Sequence, residues 1–325
     1  MGLRSKLRRR CGAVLVCLAL PACQAAVDPS VCEMAHVTDL PLVRRGHAFY
    51  TDMTINGQNA QVLLDTGSSQ SMISESAAHR LGLHVSAVGM TNIVGVGGTR
   101  DTGTAWSREV RLGDAHGERL TLTTIEDAGL RRGSEGILGM DFLYGFDIDL
   151  DVPGNRIRLY KAVTGCSAPR AVLGGALYSV DLVALPGELS PVVTVSINGR
   201  QLRALIDTGS PGSLIFRDKA HWAGFAAGPP VGITVMRGFG PRAIKGEIRI
   251  GAPVQIGDLT VVNMPFVVAQ QPHFGAIDML LATISSPACI CGFRIRRAPS
   301  SCSTRRVHRR WRARISVFSW PRVRP

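Results

Sequence analysis

Two aspartates in this chain stand in matched surroundings. The run Val62-Leu63-Leu64-Asp65-Thr66-Gly67-Ser68 leads into Ser71-Met72-Ile73. The run Ala204-Leu205-Ile206-Asp207-Thr208-Gly209-Ser210 leads into Ser213-Leu214-Ile215. Upstream, Thr54-Ile55-Asn56-Gly57 is answered by Ser196-Ile197-Asn198-Gly199, and every match keeps one offset of 142 residues. An internal repeat held in register over some twenty residues is a structural unit used twice. If the two units pair about a pseudo-twofold axis, the two carboxyls meet. Two like charges a few ångströms apart resist joint ionisation, so the pair shares one proton and titrates as a unit. The ionised member can then take a proton from a bridging water, while the protonated member donates to a carbonyl or a leaving nitrogen. That is amide hydrolysis by activated water, with no cofactor and no metal. Thr66 and Thr208 can hydrogen-bond across such an axis. Ser68 and Ser210 can donate to the carboxylates and favour their charged form.

The elements that present these aspartates read alike in both copies. Asn-Gly is a tight hairpin signal, and an apolar strand follows it into Asp-Thr-Gly, where Gly67 or Gly209 lets the chain turn sharply. A short apolar strand comes next, so each carboxyl sits on a tight loop between buried strands. A glycine-rich stretch suited to a mobile hairpin follows: Gly95-Val96-Gly97-Gly98 in the first copy and Arg237-Gly238-Phe239-Gly240 in the second. Ser74 to Leu81 reads as one short helix capped by Ser74. Otherwise the chain is short strands punctuated by glycine, hence mainly β. The first copy continues into Ile137-Leu138-Gly139-Met140-Asp141-Phe142-Leu143; nothing similar follows Asp278-Met279-Leu280-Leu281.

The doubled apolar-apolar-Asp-Thr-Gly-Ser motif, the glycine-rich hairpins and Ile137-Leu138-Gly139 resemble the pepsin-like and retropepsin-like aspartic peptidases. The hairpin Gly95-Val96-Gly97-Gly98 is closer to the retropepsin-like type, and Ser68 and Ser210 to the pepsin-like type. Signal-bearing bacterial members with two tandem lobes are the best match, over residues 43–281. The resemblance implies two homologous six-stranded β-barrel lobes with the active cleft between them. It implies Asp65 and Asp207 as the catalytic pair, supported by Thr66, Gly67, Ser68, Thr208, Gly209 and Ser210. It makes Gly95, Val96, Gly97, Gly98, Gly238, Phe239 and Gly240 the substrate-binding flaps, and an extended peptide or protein the substrate.

Charge and cysteine place the chain. Hydrophobic residues make up 45% of its 325 residues, enough for two cored domains. The net charge of +13 sits at the two ends. Residues 1–27 hold five Lys or Arg and no acid, and residues 282–325 hold eleven Arg and no acid, which leaves the body near −3. A nucleic-acid binder carries its basic patch on the folded domain, so that class is not expected. Residues 1–26 read as an export signal, with a basic start and a short apolar run from Cys11 to Leu20. Leu20-Pro21-Ala22-Cys23 is similar to a lipobox, so Cys23 is a candidate lipidation site that would anchor the chain to a membrane. Cleavage after Ala25 or Ala26 is the alternative. Both routes lead to a periplasmic or outer-membrane-associated location. There Cys32 and Cys166 could form a disulfide across the first lobe or remain two free thiols. The lobes are expected at 28–165 and 175–281, joined by a linker at 166–174.

Several signals carry less. Asp101-Thr102-Gly103 lacks a preceding apolar strand and reads as a polar turn. His79, His84 and His221 lack metal-ligand spacing. Asp147, Asp149 and Asp151 alternate with apolar residues, as on a strand with one wet face. The competing function is a peptide-binding module of the same fold in the cell envelope that does not cut. An aspartyl phosphotransferase would need a different loop and is unsupported. Residues 282–325 change composition abruptly and show no strand alternation, so they are expected to be a frameshifted segment rather than native fold. With permitted codons, Leu281 to Ser286 spells Gly-His-Asp-Phe-Leu in the alternative frame, a near copy of Gly139-Met140-Asp141-Phe142-Leu143.

Overall fold

The computed structural model describes residues 33–131, 133–164, 177–183, 185–186, 189–225, 228–270, 275–282, 292–296 and 311–316. The export signal, Cys23, Cys32, Cys166, the linker and most of the basic segment lie outside them. The fold is mainly β, in two repeated lobes. Each lobe contains one Asn-Gly hairpin that leads into its aspartate. Ala48–Ile55 turns into Gln58–Leu64, and Val192–Ile197 into Arg200–Asp207. The turns require left-handed backbone at both central residues, which Asn and Gly tolerate: φ is 50° and 82° at Asn56 and Gly57, and 52° and 75° at Asn198 and Gly199.

The next repeat element is a crossed strand trio. Gly136–Leu138 lies between Gln58–Leu64, parallel to it, and Met72–Ser74, antiparallel to it. Met279–Ala282 lies in the same way between Arg200–Asp207 and Leu214–Phe216. These strands are buried on both faces, which their unbroken apolar runs require. A helix follows each third strand. Glu75–Arg80 is capped by the Ser74 hydroxyl, which accepts from the Ala77 N–H at 3.1 Å. Its counterpart Arg217–Trp222 has Phe216 at the cap position and no side-chain cap, so no capping residue marks its start.

Among the described residues the strands of the two lobes form two sheets, of eight and fifteen strands. The larger sheet joins the lobes. The first lobe contributes Glu33–Pro41, Asp147–Asp151 and Arg156–Thr164 to it. Two strands of the basic segment, Gly292–Arg296 and Trp311–Ser316, run between Asp147–Asp151 and Leu177–Leu182. No strand was expected there, but main-chain pairing sets a ladder without side-chain alternation. The wet face expected for Asp147, Asp149 and Asp151 is also corrected. Asp147 and Asp149 are buried, and Arg158 reaches Asp149 at 3.2 Å and Asp151 at 3.1 Å, so the charge is paired within the sheet. Asp101-Thr102-Gly103 is not a turn but part of strand Gly98–Leu112.

Candidate active site

The two aspartate loops meet at the lobe interface and lock each other. The Thr66 N–H donates to the Thr208 hydroxyl oxygen at 3.0 Å, and the Thr208 N–H to that of Thr66 at 3.1 Å. Each hydroxyl then spends its own proton across the interface, Thr66 on the Ile206 carbonyl and Thr208 on the Leu64 carbonyl, both at 2.8 Å. All four bonds are buried, so their geometry is not diluted by water. A threonine is the smallest residue that accepts, donates and fills the remaining space with a methyl group.

The interlock places each carboxyl over the opposite loop. A Cβ on Gly67 would stand 2.6 Å from Asp207 Cγ, and one on Gly209 would stand 2.4 Å from Asp65 Cγ, so both positions must be glycine. Asp65 Oδ1 accepts from the Gly67 N–H at 2.9 Å and the Ser68 N–H at 3.1 Å; Asp207 Oδ1 accepts from the Ser210 N–H at 2.9 Å. The serines thus act through their backbone. Their hydroxyls, expected to face the carboxyls, donate instead to the carbonyls of Gln70 at 2.7 Å and Gly212 at 2.8 Å. One hydroxyl proton cannot serve both acceptors, and closing the loop takes it.

Both carboxyls are shielded from bulk water, and this raises the pKa of each. The rise at Asp65 is countered by the Gly67 N–H, by a hydrogen bond with Asp207, by the Ser68 N–H and by the nearby Arg131 charge. At Asp207 the charge of Asp65 adds to burial and pushes its pKa well above the usual carboxylate range. The two carboxyls therefore resist joint ionisation and titrate as a unit that shares one proton.

The glycine-rich hairpins close over this pair. Strands His84–Gly95 and Gly98–Leu112 form one, Gly232–Arg237 and Ala243–Ile250 the other. Their tips clasp: the Gly97 N–H donates to the Phe239 carbonyl at 2.8 Å, and the Arg242 N–H to the Gly97 carbonyl at 2.9 Å. Side chains cross over as well. Phe239 packs against the first lobe's Leu63, Met72 and Ile137, and Val96 against the second lobe's Leu205, Leu214 and Leu280. Gly240 has φ of 122°, and a Cβ there would meet the Gly97 carbon at 2.2 Å, so this clasp also depends on glycine. The space enclosed is about 340 Å³, lined by both aspartates, both hairpin tips and both apolar clusters.

A model of the aspartyl protease family matches the chain twice, over residues 51–142 and 193–283, which together make up more than half of it. The chain belongs to the aspartyl protease family. Each match contains one copy of the Asp-Thr-Gly loop and one glycine-rich hairpin. The fold is similar to that of a retropepsin-like aspartic protease from Rickettsia conorii, at 19% identity, over 41% of this chain and 96% of that one, with a TM-score of 0.30. It is similar also to the aspartic proteinase of Irpex lacteus, at 12% identity, over 88% of this chain and 98% of that one, with a TM-score of 0.49. No curated protein matches the chain.

Sequence reasoning missed one residue beside the pair. Arg131 donates from Nη2 to the Gly209 carbonyl at 3.0 Å, tying a first-lobe loop to the second lobe's aspartate turn. It follows the 3-10 turn Asp127–Gly129 and belongs to neither repeat motif, so no local pattern announced it. Ser71 and Asp141 also gain a role. Asp141 Oδ1 accepts from the Ser71 N–H at 2.9 Å, the Ser71 hydroxyl at 2.5 Å and the Phe142 N–H at 2.9 Å, while the Ser71 hydroxyl oxygen accepts from the Gly139 N–H at 2.8 Å. This cluster braces the Asp65 loop, whose N–H groups at Asp65 and Ser68 face Leu138 and Asp65 carbonyls at 3.0 Å and 3.2 Å.

Proposed function

We propose that this protein is an endopeptidase in which Asp65 and Asp207 hydrolyse a peptide bond through one activated water. The observation that supports it most is the reciprocal Thr66–Thr208 interlock, which holds two unequal carboxyls against each other. Asp65 is the base. It takes a proton from water as the water oxygen attacks the scissile carbonyl carbon, and Asp207 gives its proton to the carbonyl oxygen. The tetrahedral intermediate then collapses, the leaving nitrogen receives a proton from the pair, and the shared-proton state returns. No covalent intermediate forms. The clasped hairpin tips must part to admit an extended peptide and then re-form over it, as an added strand pairs with an edge.

A second reading, binding without cleavage, is favoured by one observation: the second lobe carries Ala282 where the first has Gly139, within the brace of an aspartate loop. One experiment separates the two. Purified protein is incubated with an unstructured peptide mixture across mildly acidic pH, beside Asp65→Ala and Asp207→Ala. Both variants should lose at least about a hundredfold in turnover, the usual worth of a positioned acid or base. Wild-type turnover in either variant would end the shared-proton mechanism. Peptides retained but never cut by the wild type would establish the binding module.

A further inference from the structure

The enclosed space is more basic than the molecule around it. Four arginines line it, Arg100, Arg131, Arg237 and Arg242, while the only acidic residues among its described lining are Asp65 and Asp207. The folded body as a whole is slightly acidic, near −3, so this concentration is local. Arg100 is neutralised by Glu126 at 3.1 Å. The other three have no ion-pair partner among the described residues.

Arg237 and Arg242 are exposed, while Arg131 is half-buried. Arg131 is half-buried beside the aspartate pair, held by one N–H on the Gly209 carbonyl, with the rest of its donors uncommitted to any described carboxylate. Arg237 and Arg242 bound the tip of the second hairpin, and the Arg242 backbone is fixed by its bond to Gly97. One cation thus stands at the floor and two on the overhanging edge. The remaining walls are apolar, with Leu63 and Ile137 on one side and Leu205 and Leu280 on the other. A neutral extended peptide would satisfy those walls and offer no anion to Arg237, to Arg242 or to the uncommitted donors of Arg131. A carboxylate side chain would meet planar forks of donors in a cleft whose apolar walls focus their field.

We propose that the cleft selects peptides with Asp or Glu side chains close to the scissile bond, with Arg131, Arg237 and Arg242 as the groups that recognise them. This rests on the peptidase reading above. The test uses peptide pairs that differ only in Glu against Gln at positions flanking the cut, assayed above the glutamate pKa so that the carboxyl is ionised. The ratio of kcat/KM should favour Glu about tenfold, the scale of one charge-assisted hydrogen bond. In the Arg237→Gln/Arg242→Gln double variant, and in wild type at high salt, the ratio should fall towards one. Arg242→Glu should move preference towards Lys-bearing peptides, a readout that a poorly folded variant could not mimic. A wild-type ratio of one or below, or a ratio unmoved in the double variant, overturns the proposal while leaving the peptidase reading intact. If no peptide is cut, that parent reading fails. Fluorescence anisotropy of the same pairs on Asp207→Asn then decides the selectivity, with tighter Glu binding supporting it and equal binding overturning it.

Discussion

The two lobes present their aspartates alike but brace them differently. In the first, the Gly139 N–H donates to the Ser71 hydroxyl oxygen at 2.8 Å, and the Ser71 hydroxyl donates on to Asp141. In the second, the Ala282 N–H donates to the Ser213 hydroxyl oxygen at 3.0 Å, the same first step. Ala282 therefore occupies the position of Gly139, and the counterpart of Asp141 falls outside the described residues. A Cβ at Gly139 would stand 2.6 Å from the Gln70 backbone, so the first lobe needs glycine there. In the second lobe Ala282 stands at the position of Gly139, and Gly212 at the position of Gln70. The face that meets the axis has been kept in register, while the face that supports it from behind differs between the lobes.

The largest expected effect comes from making the braces equal. The alternative frame after Leu281 puts Gly at position 282 and Asp two residues later, which is where an Asp141 counterpart would have to stand to accept from Ser213. Sequencing the coding DNA around Leu281 checks the reading directly: with one base added, it should encode the Gly-His-Asp-Phe-Leu type of continuation. The protein made from that frame should be more stable by several kcal/mol, since a lobe regains a buried polar network and the strands behind it, and should cut peptides faster. If the DNA does not encode that continuation, the frame reading is dead and the arginine-rich strands belong to this protein's own sheet.

Much of the first face was legible because local chemistry writes it. Asn56-Gly57 and Asn198-Gly199 can be little other than tight hairpin turns, Ser74 announces its helix, and the doubled Asp-Thr-Gly announces the pair. What escaped depends on three dimensions. The seryl protons of Ser68 and Ser210 had two acceptors in reach, and only the folded loop decides between them. Arg131 lies far along the chain from either aspartate. Asp147 and Asp149 alternate as an exposed strand would, yet both are buried and Arg158 pairs with Asp149. Arg217–Trp222 repeats a helix whose cap residue was not repeated.

The next comparison is a pair of reciprocal substitutions. Gly139→Ala forces a methyl into the Gln70 backbone and should destabilise by about 1–3 kcal/mol, the range for overpacking a tight interior. Ala282→Gly asks nothing to move and should change stability by less than about 1 kcal/mol, the cost of added chain entropy. Chemical denaturation at fixed pH reads both. Equal effects would mean that the second lobe is as tightly built as the first at this position.

The smallest effect tests the inequality of the two carboxyls themselves. The folded pKa of Asp207 is raised well above 3.8, by burial first and by Asp65 second. A carboxyl raised in the folded state contributes its stability below the unfolded pKa and loses it as pH climbs through the folded value. Wild type is thus penalised where the unfolded carboxyl ionises more readily than the folded one, and the penalty fades as pH falls towards 3.8. Asn cannot ionise but keeps the oxygen that accepts from the Ser210 N–H. Asp207→Asn should therefore raise Tm at neutral pH by a few degrees, on a scale of about 2–4 °C per kcal/mol for lobes of this size. The gain should vanish in acid. Asp65→Asn should gain less, because the rise at Asp65 is countered by two N–H groups and by Arg131, whose counter-charge the substitution removes. Equal gains at the two positions, or a gain that persists in acid, would show that the carboxyls are not sorted into one base and one acid.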